Sequence, residues 1–362
     1  MTDIQKSLIC RRNVLKRFRI LFLFFMVVAY LLIPAVSSSK EVRSKAAVVM
    51  DASTGKILYA RNPNLKLPPA STTKLITAIV VIENKDFSDV VRISKRASKV
   101  APSKAGFKAG DKVTIETLLY AALMKSANDA AVALAEAVSG SEAKFVRLMN
   151  KKAIEIGMKN TKFKNPHGLP ASGQYTTAYD LSKIMSYALN YPKLKEIIGT
   201  RVAKVLTENG DSIFLKNTNK LLWYDDDLVG GKTGYTRRAK HCLVCAAERD
   251  SNTIVVTVLG SPSRNNLWKE SETLIDKGFK VMSNKNEKVI HFTSTTNDAL
   301  KVKKISYDSV KSETVRKITE KGKMKAKVFV KKKPGTKKFV TDRNRGKKVY
   351  RVAEKIENRN KG

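Results

Sequence analysis

The most constraining feature of this sequence is a segment that is apolar on nearly every side but contains one lysine. Pro68 and Pro69 impose an extended backbone, and the pattern after them predicts a helix that begins at Ser71. The apolar side chains of this helix are Leu75, Ile76, Ile79, Val80, Val81 and Ile82. A helix that is apolar around its whole circumference belongs inside a core. We therefore expect the helix to be buried, and Lys74 to be buried with it.

The first turn of this helix brings a hydroxyl close to an amine. Residues three apart lie on one helix face, so Lys74 can reach the Ser71 hydroxyl, which lies near free backbone N–H groups and the positive end of the helix dipole. Burial disfavours the ammonium form and lowers the pKa of a lysine. A neutral amine beside a hydroxyl is a general base beside a nucleophile. Taken alone, the S-x-x-K pattern is common and favours a capping serine with a lysine that extends to solvent.

A second polar motif, Ser126-Ala127-Asn128, lies between two predicted helices. Residues two apart in an extended segment point the same way, so we expect the Ser126 hydroxyl and the Asn128 amide to face a common cleft. The alternative is an ordinary polar turn between helices, in which Asp129 starts the second helix.

A third motif, Lys232-Thr233-Gly234, lies in a predicted strand. Lys232 and Gly234 then share one face of the strand, and we expect the small residues to let a substrate backbone lie against its edge. The segment Gly231-Lys232-Thr233 also matches the end of a phosphate-binding loop. That motif needs a glycine at position 226, where this chain has Asp226, so we reject a nucleotide site.

The periodicity of the rest of the chain predicts an α+β fold. Apolar runs at residues 46–50 and 57–60 flank a turn sequence and predict a hairpin. The other predicted elements are helices at 114–124, 129–138, 145–156, 180–189 and 269–279, and strands at 231–236, 242–247 and 253–259. This order is typical of an antiparallel sheet flanked by a helical cluster.

The three motifs together are more specific than any one of them. Ser126 lies 55 residues after Ser71, and Lys232 lies 106 residues after Ser126. Penicillin-binding proteins and class A β-lactamases carry S-x-x-K, S-x-N and K-T-G motifs. From about residue 46 to residue 279, the chain resembles the low-molecular-mass penicillin-binding proteins, the serine-type D-alanyl-D-alanine carboxypeptidases. Further segments that fit this family are Asn128-Asp129-Ala130-Ala131, Asn165-Pro166-His167-Gly168-Leu169, Thr177-Ala178-Tyr179-Asp180-Leu181 and Leu259-Gly260.

The resemblance implies catalytic roles for three residues. Ser71 is expected to be the acylated nucleophile, Lys74 its base, and Ser126 the group that relays a proton to the leaving D-alanine. The implied substrate is a peptidoglycan stem peptide, and β-lactams are expected to acylate the same serine as inhibitors. The implied fold is the α+β fold shared by β-lactamases and transpeptidases.

The resemblance also implies a set of substrate-binding groups. Asn128 is expected to hold a substrate peptide carbonyl, and Lys232 and Thr233 to bind the terminal carboxylate. Gly234 belongs to the same binding strand. The backbone N–H groups of Ser71 and Tyr235 are expected to form the oxyanion hole, in which the loss of one donor typically costs about 100- to 1000-fold in rate.

Four positions depart from the family pattern. Tyr235 stands where some members have His, Ala127 stands where Gly is usual, and Gln174 replaces a frequent His. Lys240 stands where a Gly is expected, and we expect its side chain to crowd the strand edge.

The cysteine and histidine content disfavours a disulfide scaffold or a zinc site. The chain has three Cys and three His, and no two His are spaced for one helix face. Cys242 and Cys245 lie three apart on a predicted strand and should face opposite sides of the sheet, so we expect buried structural thiols rather than a redox pair. The sequence predicts neither a metal nor a cofactor.

The N-terminal residues have the pattern of an export signal. Basic residues precede an uncharged apolar run at residues 20–33, and small residues follow it. We predict a signal peptide at residues 1–37, with an uncleaved anchor as the alternative, and action outside the cytoplasm at the cell envelope. The predicted domains are then a catalytic domain at 38–282 and a basic, β-rich C-terminal module at 288–362.

The chain is strongly basic, with a formal net charge of +38. Residues 288–362 hold 24 Lys+Arg against 7 Asp+Glu. Export makes nucleic acid a poor partner, so this tail suggests an anionic cell-wall polymer or a membrane surface. A solvated lysine-rich strand face explains the same composition equally well.

Three other functions remain as alternatives. Class A β-lactamases of this superfamily deacylate with a Glu that follows the second motif, and residues 160–169 contain no Glu, which weakens a β-lactamase interpretation. A catalytically silent cell-wall-binding protein is disfavoured by the intact Ser71, Lys74, Ser126 and Lys232. An adhesin that acts through the basic tail would lose its function on deletion of residues 288–362, whereas a carboxypeptidase would keep it.

Overall fold

A computed structural model describes residues 42–208, 210–283, 289–293 and 301–305. The strands are β1 Ala46–Asp51, β2 Ile57–Arg61, β3 Val90–Arg92, β4 Lys112–Thr114, β5 Val202–Leu206, β6 Ser212–Lys216, β7 Leu228–Thr236, β8 Lys240–Arg249, β9 Asn252–Ser261, β10 Val289–Thr293 and β11 Lys301–Ile305. The helices are α1 Lys74–Ile82, α2 Lys95–Lys99, α3 Ile115–Met124, α4 Asn128–Ser139, α5 Glu142–Glu155, α6 Ala178–Ala188, α7 Pro192–Gly199 and α8 Arg264–Ser283. Short 3-10 turns span Ala70–Thr73 and Lys220–Trp223.

The main sheet of the described chain has seven strands in the order β11-β10-β2-β1-β9-β8-β7. Neighbouring strands are antiparallel except for the parallel pair β10 and β2. The predicted hairpin is confirmed as β1 and β2, and its turn is closed by Asp51, whose carboxylate accepts from the backbone N–H of Ser53 at 2.9 Å. The three predicted central strands are confirmed as β7, β8 and β9, with β7 at the end of the sheet order.

The sheet separates two apolar layers because alternate side chains of a strand point to opposite faces. In β1, Ala46, Val48 and Met50 pack with the helical cluster, whereas Ala47 and Val49 pack with α8. Helix α1 lies inside the larger layer, and its residues from Lys74 to Val81 are all buried. The predicted burial of this helix, and the α+β fold with a helical cluster beside an antiparallel sheet, are confirmed.

The ends of the helices follow local capping chemistry. Thr114, Ser141 and Thr177 are N-caps whose hydroxyls accept from a backbone N–H three residues further on, which satisfies a donor that the helix leaves free. Gly140 ends α4 in the left-handed conformation that glycine adopts without a side-chain clash. Thr177 thus fixes the start of α6, and Gly140 fixes the end of α4.

Several predictions concern residues at the two ends of the chain. The predicted signal sequence and most of the basic module predicted at residues 288–362 lie outside the described residues. The strands β10 and β11 come from the segment assigned to the C-terminal module, and β10 pairs with β2 of the main sheet. None of the helices in the described ranges combines the length and apolar character needed to cross a bilayer.

Candidate active site

The three sequence motifs meet at one cavity of about 820 Å³. The turn before α1, the connection between α3 and α4, and the strand β7 each form part of its wall. The motif residues that line it are Ser71, Ser126, Asn128, Thr233, Gly234 and Tyr235. Lys74 and Lys232 are fully buried, and the amine of each contacts the hydroxyl of a motif serine. The structure thus brings together all eight residues that the sequence nominated.

Ser71 lies in the 3-10 turn Ala70–Thr73, which leads directly into α1 at Lys74. The turn is held from two sides by glycines. A Cβ at Gly234 would lie 2.9 Å from the Ser71 backbone nitrogen, and a Cβ at Gly168 would lie 1.7 Å from the Ala70 carbonyl oxygen. Gly234 lines the cavity, and its missing side chain also makes room for the turn that carries Ser71.

The Lys74 amine has three hydrogen-bond partners. Its Nζ lies 2.7 Å from Asn128 Oδ1, 2.8 Å from the His167 carbonyl oxygen and 3.2 Å from Ser71 Oγ. A carbonyl oxygen only accepts, whereas a hydroxyl also donates. A neutral amine can thus donate to Asn128 and His167 and direct its lone pair at the Ser71 hydroxyl.

Burial supports the neutral form of this amine. Desolvation lowers the pKa of Lys74 well below its ordinary value, and the nearby positive charge of Lys232 lowers it further, while Asp129 acts in the opposite direction. The buried Asp129 carboxylate is fixed by the backbone N–H groups of Ala105, Gly106 and Phe107. It therefore supports the loop beside the cavity and does not pair with the lysine directly.

The Ser126 hydroxyl accepts from Lys232 Nζ at 3.1 Å, and the same amine donates to the Thr233 carbonyl oxygen at 2.9 Å. Desolvation lowers the pKa of Lys232 to about 7. The predicted extended link from Ser126 to Asn128 is wrong, because Ser126 has a left-handed backbone with φ of 64° and Asn128 is the first residue of α4. Both side chains still line one cavity, because the sharp turn at Ser126 directs them to the same side of the chain.

Asn128 is occupied on both sides of its amide. Its Oδ1 accepts from Lys74, and its Nδ2 donates to the Ala101 carbonyl oxygen at 2.9 Å. A side-chain amide nitrogen carries two hydrogens, so one donor remains for a carbonyl in the cavity. Asn128 therefore orients Lys74 as well as lining the cavity.

Two threonine hydroxyls face each other in the part of the cavity wall that β7 forms. Thr233 Oγ1 and Thr218 Oγ1 are 2.6 Å apart, and the Thr218 backbone N–H donates to the Met124 carbonyl oxygen at 3.0 Å. One hydroxyl hydrogen lies between the two oxygens, which leaves the other free for a substrate acceptor. Sequence reasoning did not nominate Thr218, which lies 15 residues before Thr233 in a loop.

His167 supports the site through its backbone and its ring. Its carbonyl accepts from Lys74, its Nδ1 accepts from the Leu169 N–H at 3.2 Å, and its Nε2 lies 3.6 Å from Glu142 Oε2. Burial is the main cause that lowers the pKa of the imidazole, which favours its neutral form. The contact between the His167 carbonyl and Lys74 was not predicted from the sequence.

The described chain contains no group of three or more Cys, His, Asp or Glu side chains that could hold a metal ion. Cys242 and Cys245 are free and buried, and they belong to opposite apolar layers of the sheet, as expected for structural thiols. Burial raises the pKa of Cys242 to about 11.

Comparisons with known proteins agree with this geometry. The protein-family model described as D-alanyl-D-alanine carboxypeptidase matches residues 34–263, which is more than half of the chain. The chain belongs to the D-alanyl-D-alanine carboxypeptidase family. The fold that the resemblance implied is confirmed by solved structures of other members.

Relatives in this family come from distant bacteria. The chain is 38% identical over 242 residues to D-alanyl-D-alanine carboxypeptidase DacF of Bacillus subtilis, which covers 65% of this chain and 62% of the relative. It is 34% identical over 266 residues to the D-alanyl-D-alanine carboxypeptidase of Streptomyces sp. K15, covering 68% of this chain and 91% of the relative. The chain thus spans less than two thirds of the length of the Bacillus relative.

The crystal structure of the Streptomyces K15 DD-transpeptidase matches with a TM-score of 0.64 and 32% identity, covering 66% of this chain and 98% of that one. A D-alanyl-D-alanine carboxypeptidase structure from Mycobacterium tuberculosis matches with a TM-score of 0.63 and 30% identity, covering 66% and 91%.

Lys240, a departure from the family pattern, does not crowd the strand edge. It has a left-handed backbone with φ of 59°, and its side chain is exposed. The prediction of crowding was wrong because the residue sits at the turn into β8 and points to solvent. A positive φ also explains why a glycine suits this position.

Proposed function

We propose that this protein is a serine-type D-alanyl-D-alanine carboxypeptidase that removes the terminal D-alanine from peptidoglycan stem peptides through an acyl-enzyme on Ser71. The observation that carries the proposal is the contact of Lys74 Nζ with Ser71 Oγ at 3.2 Å, with two carbonyl-type acceptors on the same amine. Family membership supports the same chemistry.

The first step is acylation of Ser71. The Lys74 lone pair takes the hydroxyl proton while Ser71 Oγ forms a bond to the carbonyl carbon between the two D-alanines. The charge that develops on the carbonyl oxygen is stabilised by the backbone N–H groups of Ser71 and Tyr235. Fixed donors of this kind act without reorganising during the reaction.

The second step expels D-alanine, whose nitrogen must gain a proton as the C–N bond breaks. Ser126 supplies that proton and is restored by the proton that Lys74 took from Ser71, so Lys232 keeps its own proton while its Nζ donates to Ser126 Oγ at 3.1 Å. Lys232 and the hydroxyls of Thr233 and Thr218 hold the terminal carboxylate, and Asn128 holds the preceding peptide carbonyl. Water then attacks the acyl-enzyme and frees Ser71.

We also propose that the protein acts outside the cytoplasm, because the N-terminal residues carry an export pattern and the substrate is a cell-wall peptide. The catalytic unit is proposed at residues 38–282, with the basic residues 288–362 as an accessory module. Attachment of that module to an anionic cell-wall polymer or a membrane surface is part of this proposal.

A labelled penicillin tests the proposed nucleophile. The label is expected on Ser71 of the purified full-length chain and absent from Ser71→Ala, and the wild type is expected to release D-alanine from a peptide ending in D-Ala-D-Ala. Label at another residue, or label that persists in Ser71→Ala, contradicts the proposal.

The β-lactamase alternative is tested by the same adduct. In this chain the Lys74 amine contacts the carbonyl oxygen of His167, and residues 160–169 supply no carboxylate from Glu. A long-lived penicillin adduct is therefore expected, because residues 160–169 offer no Glu carboxylate to activate a hydrolytic water. Rapid loss of the label with turnover of penicillin would instead support the β-lactamase.

A further inference from the structure

A second cavity of about 530 Å³ adjoins the catalytic cavity. The two cavities share Leu169 in their walls, and residues adjacent in sequence line opposite sides: Ala101 lines the second cavity and Pro102 the first. His167 lines the second cavity and Gly168 lines the first. The segments at residues 101–102 and 167–169 therefore form a rim that both cavities share.

The second cavity carries a net positive charge. Arg96, Lys99 and Lys164 line it, and Glu142 is the one acidic side chain among its lining residues in the described chain. Arg96 and Glu142 pair at 2.8 Å, and hydrogen bonds from His167 and Arg96 help to lower the pKa of the Glu142 carboxyl, which keeps it ionised. Lys99 and Lys164 have no ion-pair partner among the described residues, so their charges face solvent uncompensated.

The basic cavity is connected to the catalytic cavity at Leu169, which lines both. In the proposed function the substrate is held by its terminal carboxylate at Thr233 and Thr218 and acylated at Ser71. The rest of the peptide must then leave through another part of the wall, and the rim at Leu169 is shared with the basic cavity. An extended peptide advances about 3.5 Å per residue, so the residues before the acylated one can run along the shared rim towards the basic cavity.

We propose that this second cavity binds a carboxylate carried by the peptide segment that precedes the D-Ala-D-Ala end of the substrate. The proposal rests on the proposed function and names a chemical feature of its substrate. Lys99 and Lys164 are the residues that recognise the carboxylate. Glu142 is excluded from this role because it is itself an anion, paired with Arg96, and His167 is excluded because burial lowers the pKa of its imidazole and favours the neutral form.

The test compares two synthetic peptides that end in D-Ala-D-Ala and differ in one upstream side chain, which is a carboxylate in one and the matching carboxamide in the other. For the wild type, kcat/KM is expected to be about three- to tenfold higher with the carboxylate peptide, as two exposed ion pairs allow. The difference should reside in KM and shrink at high ionic strength, because salt screens exposed charges.

The double variant Lys99→Gln, Lys164→Gln is expected to cleave both peptides equally, with kcat/KM for the carboxamide peptide unchanged. Lys269→Gln, Lys280→Gln is the matched control, because both lysines are exposed on α8 and the variant has the same net charge. This control is expected to keep the preference of the wild type.

Equal cleavage of both peptides by the wild type overturns the inference and leaves the proposed function intact. A preference that survives in the Lys99→Gln, Lys164→Gln variant, or that the α8 control also loses, overturns it too, because the preference then comes from the overall charge of the protein. If neither peptide is cleaved and penicillin does not label Ser71, the proposed function fails and the inference fails with it.

Discussion

Lys74 and Lys232 are both fully buried, yet their surroundings differ. Lys74 donates to the side-chain amide of Asn128 and to the carbonyl of His167, and it contacts a hydroxyl. Lys232 contacts the hydroxyl of Ser126 and the carbonyl of its own neighbour on β7. The same desolvation weakens both bases, so the partners decide which amine accepts a proton and which keeps one.

Electrostatic repulsion between the two amines adds to the difference between their surroundings. The charge of Lys232 is one of the causes that lower the pKa of Lys74, whereas desolvation alone lowers the pKa of Lys232, to about 7. Because the two positive charges repel each other, the pair favours one proton over two, and the acceptors around Lys74 leave the lone pair of its neutral form directed at Ser71. A neutral base beside Ser71 and a cation beside the carboxylate site follow from one arrangement of charges.

The largest effect is expected from removal of the base. Lys74→Ala should slow penicillin acylation by about 10²- to 10⁴-fold, the usual contribution of a general base. Lys74→Arg should be about as slow, because a guanidinium keeps its proton in proteins. The acylation rate constant is measured with a labelled penicillin, and near-wild-type acylation by Lys74→Arg would show that the charge of the residue, and not its lone pair, matters.

The matching exchange at Lys232 should give a different result. Lys232→Ala is expected to lower kcat/KM for a D-Ala-D-Ala peptide by about 10²-fold, since hydrogen bonds between charged groups contribute about 1.5–3 kcal/mol. Lys232→Arg keeps the charge and should recover part of that loss, mainly in KM. If arginine rescues neither position or both positions equally, the distinction between the two lysines is wrong.

The pH dependence of stability offers a third contrast. A lysine with a lowered pKa is charged in the unfolded chain but loses its proton in the folded chain from about pH 7 upwards. The unfolded state then binds more protons between about pH 7 and pH 10, so stability rises with pH across that window and the cost of the buried charge is largest below it.

Lys232→Met removes the buried charge and with it the free-energy cost of desolvating that charge. We expect it to be more stable than the wild type by at least about 2 kcal/mol at pH 6. The gain should shrink as the pH approaches 10. Denaturant unfolding at both pH values measures the difference, and a gain that is the same at both would contradict the lowered pKa.

Some of the site was predictable from the sequence and some was not. Lys74 lies on a helix whose side chains at positions 75–82 are apolar on nearly every side, so its burial and its contact with Ser71 follow from helical periodicity. The contacts of Lys74 with Asn128 and His167 cross 54 and 93 residues, and only tertiary packing sets them. The left-handed turn at Ser126 was missed for the same reason, because a serine there gives no local signal.

The smallest effect is expected at Thr218, which no local pattern nominated. Thr218→Val removes the hydroxyl that faces Thr233 and should raise KM about fivefold with kcat almost unchanged, because one neutral hydrogen bond contributes about 1 kcal/mol. Thr218→Ser keeps the hydroxyl and serves as the control. A loss of kcat in Thr218→Val, or an equal loss in Thr218→Ser, would place this residue outside the carboxylate site.

The protonation state of Lys74 is the central claim, and NMR of the labelled lysine side chains measures it directly. The full-length protein is titrated with isotope-labelled lysine, and Lys74→Met identifies the signal that belongs to this residue. We predict a signal that titrates far below pH 10.5 and is already neutral when Ser71 becomes reactive towards penicillin. A Lys74 signal that stays protonated up to about pH 10 while acylation proceeds at full rate would contradict the account.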